Sequence, residues 1–226
     1  MSQAPGRMDA VTPTIDSSAV LWSTDDRAGK PLLVLLHGYG ADERDLFGLV
    51  PYLPEGIAVA ALPAPLTPPW PMPGRSWYDL DDLESRNADG ITAAAEALLA
   101  WLDSDAAEAS STALLGFSQG AAVSLQALRL APSRFPAIVA LSGYVAHGDL
   151  PGDETLQADR PRVFWGRGTH DDVIPSALID HTAQWLPHHA TLSGGVYQGL
   201  THSISDAEIT DVRAFLEPWR DKAATA

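Results

Sequence analysis

Gly116-Phe117-Ser118-Gln119-Gly120 lies between two segments of opposite character. Before it, Ser111-Thr112-Ala113-Leu114-Leu115 is short and apolar, as a buried strand is. After it, Ala121 to Leu128 (AAVSLQAL) reads as a helix. A serine in a strand-to-helix turn projects its hydroxyl above the sheet only if the turn is tight and strained. Gly116 and Gly120 leave room for the close approach of strand and helix that such a turn demands. The pattern predicts a nucleophile elbow at Ser118. An incidental Gly-Ser loop would satisfy the five-residue pattern too, and it is the flanking strand and helix that favour the elbow.

The remaining chain alternates strand and helix patterns, which is the α/β signature. Ala19 to Trp22 reads as a first strand. Pro31 to Leu36 (PLLVLL) is a continuous apolar run, so it is expected to be a central strand covered on both faces. Arg44 to Leu53 reads as a short helix and Ile57 to Leu62 as a buried strand. From Asn87 to Ser104, Ile91, Ala94, Ala95, Leu98, Leu99 and Leu102 make one helical stripe. Strands follow at Ala137–Leu141 and Arg162–Trp165. A helix begins with Pro175 at its first position. Thr191 to Tyr197 reads as the last strand. Ser205-Asp206-Ala207-Glu208 is a capping box that opens a final helix striped by Ile209, Val212 and Leu216.

The stretch from Leu62 to Gly74 (LPAPLTPPWPMPG) breaks the alternation, because this much proline forbids helix and central strand alike. It is either a rigid surface connection or a wall of a substrate pocket. Trp70, Met72, Trp77 and Tyr78 are too apolar for water and favour the pocket. An apolar loop serves a dimer contact equally well, so both monomer and homodimer are open.

One domain over 19–226 behind a flexible tail at 1–18 suits 226 residues. The net charge of −15 argues against nucleic acid and anionic membrane surfaces as partners. The chain has no cysteine, which excludes disulfides, thiolate metal sites and a cysteine nucleophile. No apolar run approaches the roughly 18–20 residues of a membrane span. Met1 to Ser18 lacks a basic start followed by an apolar core, so a cytoplasmic protein is expected.

A serine nucleophile needs a base within reach and a carboxylate to orient that base. With an elbow the chain order is serine, acid, histidine. His37, His147 and His170 come too early to be the base. His181 falls inside the helix from Pro175, and His188 and His189 sit at its end, where a solvated cap role is expected. His202, in the loop after the last strand, is the favoured base. The acid is Asp171 or Asp172, past the end of the Arg162–Trp165 strand, and the pattern does not separate them. The oxyanion needs two backbone amides. Gln119, next to the nucleophile, supplies one, and the glycine-bearing loop Leu36-His37-Gly38-Tyr39-Gly40-Ala41-Asp42 supplies the other at Tyr39. His37 then reads as a structural residue that fixes the turn.

These motifs together resemble the phospholipase/carboxylesterase family of α/β-hydrolases, which includes acyl-protein thioesterases and small bacterial carboxylesterases. The resemblance is carried by Leu36–Asp42, Ser76-Trp77-Tyr78-Asp79, Gly116–Gly120, Gly168–Pro175 and His202, in order over most of the chain. It implies a mostly parallel central sheet with helices on both faces and no large cap domain. It also settles the acid: the family's spacing of glycine, aspartate and proline places it at Asp171. By the same matching Ser118 is the nucleophile, His202 the base, and the Tyr39 and Gln119 amides the oxyanion hole. Arg167 stands where the family usually has histidine, Thr201 where it has glycine, and Tyr39 is bulkier than usual. The first two bear on loop geometry, the third on pocket width.

The implied activity is hydrolysis of small to medium acyl esters, without cofactor or metal and with a small-molecule ester as the partner. Thioesterase, lysophospholipase and amidase activity on the same residues are the alternatives. So is a non-catalytic binding module that keeps the fold.

Overall fold

The computed structural model describes residues 13–80 and 88–225. Behind a short edge strand, Leu21–Trp22 (β1), comes Pro31–Leu36 (β2). A run with no polar side chain must be covered on both faces, and every residue of β2 is buried. Because successive residues of a strand point to opposite faces, Leu32, Val34 and Leu36 enter one apolar cluster and Leu33 and Leu35 another. The chain continues through Glu43–Phe47 (α1), Ala58–Leu62 (β3), Ala88–Asp105 (α2), Ser111–Phe117 (β4), Gln119–Leu130 (α3) and Ala137–Leu141 (β5). It ends with Gly152–Asp159 (α4), Arg162–Gly168 (β6), Ser176–His189 (α5), Thr191–Ser193 (β7), Val196–Tyr197 (β8) and Asp206–Ala223 (α6).

The strands run β1-β3-β2-β4-β5-β6-β7, with β8 pairing farther along β6. β1 is antiparallel to β3, and the other pairings are parallel. Helices α2, α3, α4 and α5 bury their apolar residues on one face of the sheet, and α1 and α6 on the other. This is an α/β-hydrolase sheet. The loops at the C-terminal strand ends, after β2, β4, β5 and β6, therefore open on one edge, where sites of parallel sheets assemble. No helix among the described residues is long and apolar enough to cross a membrane.

Several sequence expectations change in detail. The strand expected from Ala19 starts two residues later, because Ser17–Ala19 is a 3-10 turn capped by Asp16. The helix expected over 44–53 stops at Gly48 and resumes only as the 3-10 turn Val50–Tyr52. Pro51 has no N–H to continue it. The second helix is described from Ala88, and Asn87 lies outside the described residues, as do residues 1–12 of the expected tail. Pro175 is the N-cap of α5, one position earlier than expected. The last strand splits into β7 and β8 at Gly194, whose φ of 105° leaves the extended region.

Candidate active site

Ser118 follows β4 and takes the N-cap position of α3 with φ 53° and ψ −114°, a conformation that side-chain-bearing residues rarely adopt. The two glycines are what permit it. A β-carbon on Gly116 would stand 2.3 Å from the Gly120 carbonyl oxygen, and one on Gly120 would stand 2.0 Å from that of Leu36. The Ser118 amide donates to the Leu141 carbonyl of β5 at 2.9 Å, which fixes the turn against the neighbouring strand.

His202 arrives from the other side, on the loop between β8 and α6. Its Nε2 is 2.9 Å from Ser118 Oγ, and its Nδ1 is 2.8 Å from Asp171 Oδ2. A proton on Nδ1 serves the carboxylate and leaves Nε2 free to accept from the serine hydroxyl. The second oxygen of Asp171 accepts the amides of Val173 at 3.0 Å and Ile174 at 3.2 Å. Burial alone would raise the Asp171 carboxyl. The hydrogen bond and charge of His202, with those two amides, outweigh it and hold the group below its ordinary value. Gly168 lets the histidine loop lie against β6, since a β-carbon there would stand 1.9 Å from the Leu200 carbonyl oxygen. Asp172 is exposed.

The other histidines have structural surroundings. His37 is buried, with Nδ1 against the Gly38 carbonyl and Nε2 accepting from the Ala64 amide. That pattern suits the neutral ring, and burial lowers its pKa. His147 and His181 face each other with ring centroids 4.2 Å apart. His188 is exposed, whereas His189, expected at a solvated helix end, is buried and stacked on Trp185 at 3.7 Å.

Ser118 and His202 border a cavity of about 200 Å³. Tyr39 and Gln119 both line it. Gln119 begins α3, so its N–H has no intrahelical acceptor. The Tyr39 amide finds no acceptor among the described residues. Of the four aromatic and sulfur side chains expected in the pocket, Tyr78 lines the cavity, with its hydroxyl 2.5 Å from that of Tyr144. Trp77 is only 1% exposed and turns into the core. Trp70, 93% exposed, and Met72, 45% exposed, lie on the outer surface of the loop, away from the cavity lining. A larger cavity, about 260 Å³, is bordered by Trp22, Arg27 and Glu108 with Leu32 and Ala58. Those last two residues lie at the N-terminal ends of β2 and β3, which puts this cavity at the other end of the strands from Ser118.

A profile of the phospholipase/carboxylesterase family matches residues 18–220. The chain belongs to the phospholipase/carboxylesterase family. By family it is a serine hydrolase acting on esters. Acyl-protein thioesterase 1 of Yarrowia lipolytica is 33% identical over 154 residues, 63% of this chain and 67% of that one. The same-named protein of Candida albicans is 34% identical over 112 residues, but the match spans only 47% of its length and 45% of this chain. Among solved structures, esterase PE8 superposes with a TM-score of 0.73 at 29% identity, over 92% of this chain and 99% of that one. The Bacillus cereus carboxylesterase gives 0.74 at 19% identity, over 90% and 93%, a likeness of fold.

Sequence reasoning missed several side chains of this family member's cavity. Tyr144 lies three residues past the end of β5, and that position was the available signal. Phe117 and Ile174, inside motifs read for other residues, and Leu80, next to one, add apolar wall. Asp45, from α1, brings a carboxylate to the cavity that no motif announced. The side chain of Gln119, read only for its amide, is almost fully buried and hydrogen-bonded on both sides.

Proposed function

We propose that this protein is a serine carboxylesterase that cleaves small to medium acyl esters through an acyl-enzyme. The reading is carried by the hydrogen-bonded chain from Ser118 through His202 to Asp171 at the edge of an apolar cavity. The Ser118 oxygen attacks the ester carbonyl, its proton passes to His202 Nε2, and the carbonyl electron pair moves to oxygen. The Tyr39 and Gln119 amides receive that oxyanion, each donor contributing about 3 kcal/mol. Collapse expels the alcohol, which takes the proton from Nε2. Water then repeats the sequence and frees the acid. Asp171 stays ionised and stabilises the imidazolium.

A cavity near 200 Å³ supports short and medium acyl groups. The names of the thioesterase relatives support a second reading, hydrolysis of acyl thioesters on the same residues. A p-nitrophenyl ester series from acetate to palmitate, run beside matched thioesters on wild type and Ser118→Ala, tests both. Turnover peaking at short chains and lost by several orders of magnitude in the variant is expected. Turnover that survives Ser118→Ala would sink the assignment. A cytoplasmic location belongs to the same reading, and cell fractionation checks it.

A further inference from the structure

The two amides assigned to the oxyanion hole belong to different elements. Tyr39 sits in the loop after β2, and Gln119 is the first residue of α3. An oxyanion hole works only if its donors are held within a few tenths of an ångström of the productive geometry. The segment Arg75–Tyr78, downstream of the proline-rich loop, touches both elements.

On the α3 side, Gln119 is 3% exposed and its side-chain amide spends both ends on this segment. Its Oε1 accepts the Trp77 amide at 2.8 Å, and its Nε2 donates to the Tyr78 carbonyl at 2.7 Å. Ser76 Oγ also donates to that carbonyl, at 2.6 Å. On the β2 side, the Trp77 indole Nε1 donates to the His37 carbonyl at 2.8 Å, two residues before Tyr39. One position past Tyr39, the Gly40 amide donates to the Arg75 carbonyl at 2.9 Å, and the Arg75 amide donates to the Ala41 carbonyl at 2.8 Å. Tyr39 is therefore bracketed on both flanks by a strut whose other end is the Gln119 side chain.

We infer that the Gln119 side chain and the Trp77 indole are positioning residues that hold the two oxyanion donors in register. The inference rests on the esterase reading and deepens it. Gln119 acts twice at the site: its N–H faces the oxyanion, and its amide side chain sets where the opposite donor stands. Buried amide groups without partners are costly, so the strut has one arrangement that satisfies every member. A donor displaced by breaking it loses hold of the transition-state oxyanion more than of the ground-state ester.

The test uses Gln119→Met, which keeps volume and removes both hydrogen bonds, and Trp77→Phe, which keeps an aromatic ring and removes the indole N–H. Titration with a fluorophosphonate counts competent serines, so that rates are expressed per site. For each variant kcat should fall roughly 10- to 100-fold, within the range of a lost oxyanion donor. KM should stay within about threefold, since the loss falls on the transition state. Affinity for a trifluoromethyl ketone, whose serine adduct carries an oxyanion, should fall by the same factor as kcat/KM. The pH profile of kcat/KM should keep its midpoint, because His202 and Asp171 are untouched. Per-site kcat within twofold of wild type in both variants overturns the inference. So does a loss confined to KM, or unchanged ketone affinity beside a reduced kcat. Should one variant fail to fold, the other carries the comparison. Wild-type turnover abolished by Ser118→Ala keeps the esterase reading whatever the Gln119 result; a wild type without turnover overturns both.

Discussion

Asp171 and Asp172 are adjacent, chemically identical, and separated in role by a few ångströms. Asp171 is the one whose Oδ2 meets His202 while Oδ1 is fixed by two backbone amides. That fixing predicts the consequence of Asp171→Asn. The side-chain oxygen stays with the Val173 and Ile174 amides, so the new NH₂ faces His202 Nδ1. The ring must then carry its proton on Nε2, toward Ser118, and cannot accept from the hydroxyl. A fall in kcat of about 10⁴-fold with little change in KM is expected. Asp172→Asn should stay within about twofold. Stopped-flow measurement of p-nitrophenyl butyrate turnover checks the pair. Residue patterns alone left these two aspartates open because the orienting amides come from the fold of the following loop. Only the spacing shared with a family chose between them. Ser118 was legible for the opposite reason: its constraint is local, in glycines two positions away on either side.

The helices and strands show where patterns suffice. β2 and β5 stand where their uninterrupted apolar runs place them, since a strand buried on both faces leaves no ambiguity of period. The short helix after β2 was overread because Gly48 and Pro51 act on hydrogen bonds that an apolar count does not register. The capping box at α6 is half made. Ser205 Oγ accepts the Glu208 amide at 3.2 Å, but the Glu208 carboxyl turns inward against Gly166. It is 0% exposed and has no hydrogen-bond partner among the described residues. Burial pushes it up from 4.5 to about 7, against the Ser205 contact and with help from the charge of Asp211. The sign follows. The folded chain holds this proton more tightly than the unfolded chain does, so the stability it contributes is intact below about pH 4.5 and lost as pH rises through about 7. Glu208→Gln removes that loss. Relative to wild type, the variant should gain up to about 3 kcal/mol on going from pH 5 to pH 8. Urea midpoints at the two pH values measure it, and a gain that is absent or reversed contradicts the assignment.

Taken whole, the molecule is strongly acidic, and Asp45 carries that sign into the cavity. A negative field repels anionic substrates and salt screens it. For an ester bearing a remote carboxylate, kcat/KM should rise several-fold between low and high NaCl, while an uncharged ester of equal length stays flat. Parallel salt titrations of the two substrates decide it. At this scale the fold was readable from alternation of patterns, whereas the cavity was not, since its walls come from elements distant in sequence: Asp45 from α1, Tyr78 from the segment after the proline-rich loop, Tyr144 from beyond β5. The same dispersal has a consequence in time. The serine is set by β4, α3 and its bond to β5, but the proposed base lies between β8 and α6, 84 positions further along. A growing polypeptide carries Ser118 for 84 residues before the histidine that faces it is made, and a fragment that stops short of His202 lacks that partner altogether. Until the His202 loop is laid against β6, the elbow is a strained turn without the imidazole that faces it, and a chain cut between β4 and β8 is expected to turn over no ester.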